Sequence, residues 1–425
     1  MIQLFRSVNR AVLCSALCMT PILIGILIGI PAVALAQQVQ TAVVATVAPD
    51  FSSAAHSVIA VDPPRQPENE ILPTGSSDIT ITAHENHFYR IEKFMADNVT
   101  KFDIAAPGVP IWQFSTLDAG EIDSNPYDLI FVNSQKAYLL RYGSATAWIV
   151  NPSVSADGQS EFKIGELDLS AYDGGAGVPH MTSGVIAAGK LFVAMQRLDA
   201  AWSPTNAAYV AVFDVATDEE IDTQTPNDDG LKGIRLPIRN TGAIQYLAAN
   251  DTIYVQGVGN YFDADQVSFP SGIVSIDPGD YSVETVLLGG DPYGNISGMS
   301  IVSPDKGYFV GYAGWGINTL YPFNPATGEV FEQTNAELKN INIAGMQSGT
   351  AVDQNDMLWV SDQTNARLVI LDTVTDEIDE FIATELNPTQ VAFTSEGTPG
   401  TGSGSSSSSG GCFINSSSGS VSFWK

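Results

Sequence analysis

The chain has 425 residues, and 47 acidic against 18 basic side chains leave a formal charge of −29, which opposes nucleic acid and anionic membrane surfaces. Divalent cations or plain solubility are left for the carboxylates to serve. With 38 glycines, 23 prolines and only 15% charged residues, the composition describes turns and strands and excludes a scaffold of long amphipathic helices.

Residues 1–36 read as a signal peptide. Arg6 and Arg10 make a positive start, 21–33 is strongly apolar, and Ala34-Leu35-Ala36 is a small-residue cleavage site before Gln37. The apolar stretch is shorter than a membrane span, and Cys14 and Cys18 precede it instead of ending it. A retained helix and a lipoprotein signal therefore both fit less well. Export to the periplasm, cell surface or medium is the expectation. Cleavage would remove two arginines and two of the three cysteines, so the mature chain would carry −31 and the single thiol of Cys412, with no internal disulfide.

Downstream, short apolar strands are punctuated by a recurring turn. VFDVATDEEI (212–221), PFNPATGEV (322–330) and LVILDTVTDEI (368–378) share an Asp or Asn, a Thr three residues on, and an Asp or Gly four residues on. The Asx side chain can bond the backbone two residues ahead, the Thr can close the loop, and the last position suits left-handed backbone. Looser copies at Asp62, Asn151 and Asp277, and a degraded one near Lys93, complete seven turns separated by 31, 58, 63, 63, 47 and 48 residues. All-strand repeats of this period predict propeller blades.

In chain order, blade one has middle strands at 42–48 and 57–61 and an edge at 70–72. Blade two is placed at 79–104, its inner strand hard to discern. Blades three to seven follow at 127–169, 181–222, 243–288, 296–331 and 348–382. Residues 388–393 form an inner strand without a blade, while blade one lacks an inner strand, and pairing the two would remove both exposed edges. The expected fold is all-β: a seven-bladed β-propeller over 37–397, closed by pairing the C-terminal strand into the first blade.

Residues 369–393, with their aliphatic run, Asp372, Thr375, second short strand and Asn387-Pro388-Thr389-Gln390-Val391-Ala392, resemble a repeat of the YVTN or YncE-like seven-bladed propellers. The similarity covers the turns of about six blades, without a literal Tyr-Val-Thr-Asn and with uneven blades. It implies the fold and says little of function. In 398–425, 17 of 28 residues are Ser or Gly, the composition of a flexible linker that cannot bury a core. Within it, Gly410-Gly411-Cys412-Phe413-Ile414 resembles the CFI-box segment of some exported bacterial proteins. That likeness implies envelope or surface attachment through Cys412.

Catalytic signatures are missing from the propeller sequence: no G-x-S-x-G, H-E-x-x-H, C-x-x-C-H, phosphate-binding glycine loop or complete EF-hand loop, and no cysteine in 37–397. His84 and His87 flank a two-residue turn that would set them opposite each other as a metal pair, but no third ligand is identifiable. Asp228 and Asp229, or Asp263 and Asp265, could give calcium only part of the six or more oxygens it takes. No cofactor other than calcium is suggested.

In a propeller, connections between second and third strands share one face with those linking blades. On this face the segments 171–180, 197–207, 259–271 and 312–318 are long and aromatic. Trp202, Tyr261, Phe262 and Trp315 offer flat apolar platforms there, and His180, Arg197, Asp199 and Asp263 could orient a polar ligand. Mutual packing of neighbouring loops is the plainer account of the aromatics. The favoured reading is an exported, surface-attached, non-catalytic propeller that binds a protein or a small polar ligand at this face. A calcium-dependent, lactonase-like hydrolase with its site at the channel mouth is the alternative, and a redox propeller the third, disfavoured by the lack of haem and copper motifs.

Overall fold

The computed structural model describes residues 40–395, apart from 227–228, 264 and 344–348. The expected signal peptide, the tail with Cys412, and Asp228 lie outside the described residues.

Strands follow one another as antiparallel neighbours. Blade one contains β1 (Gln40–Val47), β2 (Ala54–Ala60) and β3 (Glu68–Thr74), and blade two β4 (Ile79–His84), β5 (His87–Glu92), β6 (Asn98–Asp103) and β7 (Pro110–Ser115). Blade three has β8 (Pro126–Asn133), β9 (Lys136–Arg141), β10 (Thr146–Val150) and β11 (Lys163–Asp168). Blade four has β12 (Met181–Ala187), β13 (Lys190–Met195), β14 (Tyr209–Asp214) and β15 (Ile234–Arg235), and blade five β16 (Thr241–Leu247), β17 (Thr252–Gly257), β18 (Gly272–Ile276) and β19 (Val283–Leu288). Blade six has β20 (Asn295–Ser303), β21 (Lys306–Gly314) and β22 (Ile317–Phe323), with a bridge between Phe323 and Val330 where a fourth strand would begin. Blade seven has β23 (Thr350–Val352), β24 (Met357–Asp362), β25 (Arg367–Asp372) and β26 (Ile378–Ala383). The last strand, β27 (Asn387–Ser395), pairs antiparallel with β1 and supplies the missing inner strand of blade one.

The seven inner strands touch in a cycle, β27 to β4, β8, β12, β16, β20, β23 and back to β27. The fold is thus a closed seven-bladed propeller, as the unmatched terminal strands required. Both faces of each sheet are covered by neighbouring blades, so the core is divided: seven apolar clusters among the described residues each draw on two adjacent blades. Middle strands accordingly read as apolar on both faces, as in Ala137 to Leu140, whereas outer strands such as β11 and β26 alternate between covered and exposed.

The recurring turn also joins blades. Asp218 and Asp376 stand in left-handed backbone, φ 59° and 58°, as does Gly328 at 71°. From there Asp218 accepts hydrogen bonds from Lys136 Nζ (2.7 Å) and Tyr138 Oη (2.6 Å) of the preceding blade, and Asp376 accepts them from Lys306 Nζ and Tyr308 Oη. At Gly328 a Cβ would lie 2.2 Å from the Val286 carbonyl oxygen, so only glycine fits that close approach.

Four expectations need correction. The turn near Lys93 joins the second and third strands of blade two and lies on the opposite face from the other copies. It has the same local geometry, with Asp97 N–H bonded to the Lys93 carbonyl and φ 48° at Asp97, which is why the sequence mimics the repeat. The true equivalent is at Asp103, and the first two spacings become 41 and 48 residues. Blade two extends to Ser115, because Pro110 opens an outer strand whose ladder side needs no donor there. Blade four finds its outer strand only at Ile234 and Arg235, beyond 222. The expected loop 312–318 is mostly strand, with Trp315 and Gly316 alone turning between β21 and β22.

Candidate binding face and channel mouth

Because strands alternate in direction, the connections of 169–180, 196–208 and 258–271 and the Trp315 turn share one face of the ring, and the His84 to His87 turn lies on the other. His84 and His87 do pair directly across their hairpin. His84 stacks on Phe131 at 4.4 Å and 3°, which uses its ring for packing.

Several residues expected to meet a ligand also hold loops together. Arg197 is buried: its Nε donates to the Tyr172 carbonyl (3.1 Å), an Nη1 hydrogen goes to Ala207 O (3.2 Å), Asp229 stands 3.4 Å away, and the guanidinium lies 4.8 Å from the Tyr209 ring centre. Asp229 also accepts the Tyr209 hydroxyl at 2.6 Å. Asp199 accepts from the backbone of Ala201 (2.8 Å) and Ser203 (3.0 Å) and from Thr205 Oγ1 (2.8 Å). Asp263 and Asp265 likewise turn an oxygen to the backbone, Asp265 N–H at 3.0 Å and Val267 N–H at 3.0 Å. These are Asx turns that shape the loop. Among the described residues no three His, Cys, Asp or Glu side chains are grouped to share a metal ion.

Trp202, Phe262 and Trp315 are exposed, at 50, 80 and 75%. Tyr261 is edge-on to Tyr312, with ring centres 5.2 Å apart. Burial, then Tyr142, Asp78 and Tyr261, push the Tyr127 phenol well above its ordinary range.

Tyr127, near the start of inner strand β8, and Tyr142, just after β9, escaped sequence reading. Their rings stack at 4.5 Å and 20°, and Lys93 Nζ, 2.7 Å from Asp78, stands 4.6 Å from the Tyr127 ring centre. Tyr142 donates its hydroxyl hydrogen to Gln196 Oε1 at 2.7 Å, and Gln196 Nε2 donates to Thr241 O at 3.1 Å. His180 completes the group immediately before inner strand β12, 1% exposed and with φ 58°. The available signal was positional: residues at the starts of inner strands converge on one mouth of the channel.

Burial brings both His180 and His56 down to about 4. His56 Nε2 lies 2.9 Å from the Pro107 carbonyl. Unfolded, each imidazole titrates near 6.5, so between about 6.5 and 4 the unfolded chain binds the extra protons. Their stabilisation is complete above 6.5 and falls as the pH drops, by about 1.4 kcal/mol per pH unit per histidine. Urea unfolding at pH 7 and pH 5 is expected to show this loss, with a shallower slope for His56→Gln. Equal slopes for the two proteins would refute the assignment.

Fold and site together define a seven-bladed β-propeller with an aromatic loop face. No protein-family model and no curated protein matches the chain. Among solved structures it is similar to a putative 6-phosphogluconolactonase from Bacteroides fragilis, with a TM-score of 0.54 and 11% identity over 84% of this chain and 98% of that one. It is also similar to the hydrazine synthase of Kuenenia stuttgartiensis, at TM-score 0.52, 13% identity, 74% of this chain and 88% of that one. A streptogramin B lyase gives 0.50 and 12%, over 74% and 86%. Likeness at this identity is a likeness of fold.

Proposed function

We propose that this chain is an exported, non-catalytic binding propeller of the YVTN/YncE-like kind, attached to the cell envelope through Cys412 and engaging a partner protein with its loop-rich face. The observation that carries the reading is the placement of exposed apolar side chains. Among the described residues, Phe51, Phe94, Met95, Ile122, Trp202, Phe262, Val267 and Trp315 project from connections on that face, while Val109 and Val374 do so from connections on the other and Phe331 follows the corresponding turn of blade six. Scattered exposed apolar residues are ordinary, but such bias toward one face supports a contact surface. The excess of carboxylates favours a partner whose contact surface is neutral or basic. The signal-like start and the CFI-like tail support export and attachment. Since one acyl chain anchors only marginally, attachment through Cys412 calls for a second chain or a covalent envelope partner.

One experiment on intact cells of the producing organism tests both parts. A photo-crosslinkable residue is placed at 315 or at 374, with and without Cys412→Ser. Adducts to a discrete protein are expected from 315 and not from 374, and Cys412→Ser should release the protein from the envelope fraction to the medium. Equal adducts from both positions, or none, would overturn the contact face. An unchanged distribution of Cys412→Ser would overturn the attachment.

A further inference from the structure

In a chain with 47 acidic and 18 basic side chains, an arginine meets a carboxylate readily. Arg65, Arg90, Arg141, Arg197 and Arg367 each have one in salt-bridge contact. Arg239 differs. Its guanidinium makes no hydrogen bond and no salt bridge among the described residues, and its Nε is buried without a partner.

The residue stands in the link between β15 and β16, on the face that carries the long connections, and the charges that bear on it are those of Arg235 and Arg197. Burial and these two like charges draw its pKa below the ordinary guanidinium value, yet arginine keeps its proton at physiological pH. The result is a positive group that is partly desolvated and repelled by its neighbours. An arriving oxyanion relieves the repulsion and supplies the missing hydrogen-bond acceptor.

The main chain here is held firmly. Arg239 N–H donates to the Pro270 carbonyl (2.8 Å), the Arg239 carbonyl accepts from Gly259 N–H (3.0 Å), and a Cβ at Gly257 would lie 2.5 Å from that carbonyl oxygen. With its backbone clamped against the 258–271 connection, Arg239 has little main-chain freedom left to lose when a ligand binds.

We propose that Arg239 anchors an oxyanion site on the loop face, receiving one carboxylate through the terminal fork of its guanidinium. A planar carboxylate matches that fork with two charge-assisted hydrogen bonds. A phosphate matches it too, but its second charge is opposed by the formal charge of −29, and Arg197 is already engaged by Asp229. Two sources carry such a group: an acidic side chain of the protein that the contact face engages, or a free carboxylic acid. The inference goes beyond the contact-face reading, and its first measurement does not depend on it.

That measurement is NMR of the mature chain labelled with nitrogen-15 at arginine, following the Arg239 Nε–H signal, which is assigned by its loss in Arg239→Lys. One fork contact is weak by itself, so acetate is carried to about 100 mM. Acetate is expected to shift the signal saturably, at least tenfold more tightly than neutral acetamide and more tightly than inorganic phosphate. No saturable shift, an equal response to acetamide, or an equal response of the paired Arg141 signal would overturn the site, and tighter binding of phosphate would overturn the assignment to a carboxylate. The source is read by adding Arg239→Gln to the chain crosslinked from position 315 on intact cells. A tenfold or greater fall in adducts assigns the carboxylate to the partner protein, and retained adducts beside the acetate shift assign it to a free acid. A position 315 that is silent with and without Arg239→Gln counts against the contact face alone, and the acetate titration still decides the site.

Discussion

Removing residues 387–425 is expected to abolish the cooperative unfolding transition, whereas removing only 398–425 should leave the melting temperature within a degree or two of the full chain. The reason is that β27 belongs to two interfaces at once. Val391 packs in the cluster shared with blade seven, where Phe393 meets Trp359 edge-on at 5.6 Å, and Ala392 packs in the cluster shared with blade two. Gln390 Oε1 accepts hydrogen bonds from Thr80 Oγ1 and from the Ile81 backbone (2.9 Å), tying the strand to β4. Side-chain burial alone is worth a few kcal/mol, and loss of the ladder to β1 opens a sheet edge in a protein whose margin is about 5–15 kcal/mol. Calorimetry of the two truncated chains is the measurement. If both melt as the full chain does, closure by β27 is not what holds the ring.

Arg141→Ala should be the most damaging single substitution outside the strand cores, at about 3–5 kcal/mol, the range for breaking a buried pair by removing one partner. The side chain is fully buried in the connection between blades two and three. It donates to the Thr116 carbonyl (3.1 Å), Ser144 Oγ (3.2 Å) and Thr146 Oγ1 (3.2 Å), pairs with Glu121, stands 3.5 Å from Asp118, and lies 4.5 Å from the Trp148 ring centre. Burial lowers its pKa to about 10 against the opposing pull of Asp118, so the guanidinium is held charged at a desolvation cost that only this full set of partners offsets. Asp118, 43% exposed, is screened by water, which leaves most of the pairing to Glu121. Urea unfolding of Arg141→Ala, Glu121→Ala and the double variant measures the coupling. Arg141→Lys should recover part of the loss, because it keeps the charge but not the fork of donors. A cost for Arg141→Ala below about 1 kcal/mol would show that the network contributes little.

What the sequence determined by itself was local or countable. The turn at Asp372 to Asp376 was legible because left-handed backbone and Asx hydrogen bonding are decided within five residues, and its copies at Asp214 and Asn324 repeat the same chemistry. Closure was legible because an unmatched inner strand at 388–393 and a first blade lacking one admit a single pairing. Turn chemistry could not separate Lys93 from Asp103, since both stretches make tight polar turns and only the strand order says which face each lies on. Arg197 and Asp199 looked like ligand contacts because a charged loop residue reads the same whether its partner is a ligand or Asp229 and Ser203. The meeting of the Tyr142, His180 and Trp202 rings was beyond sequence reading for a related reason. Tyr142, His180 and Trp202 come from three connections, and no pattern within any one of them records the others. Their spacing is set by the angle between neighbouring blades, which the packed clusters around the whole ring decide together.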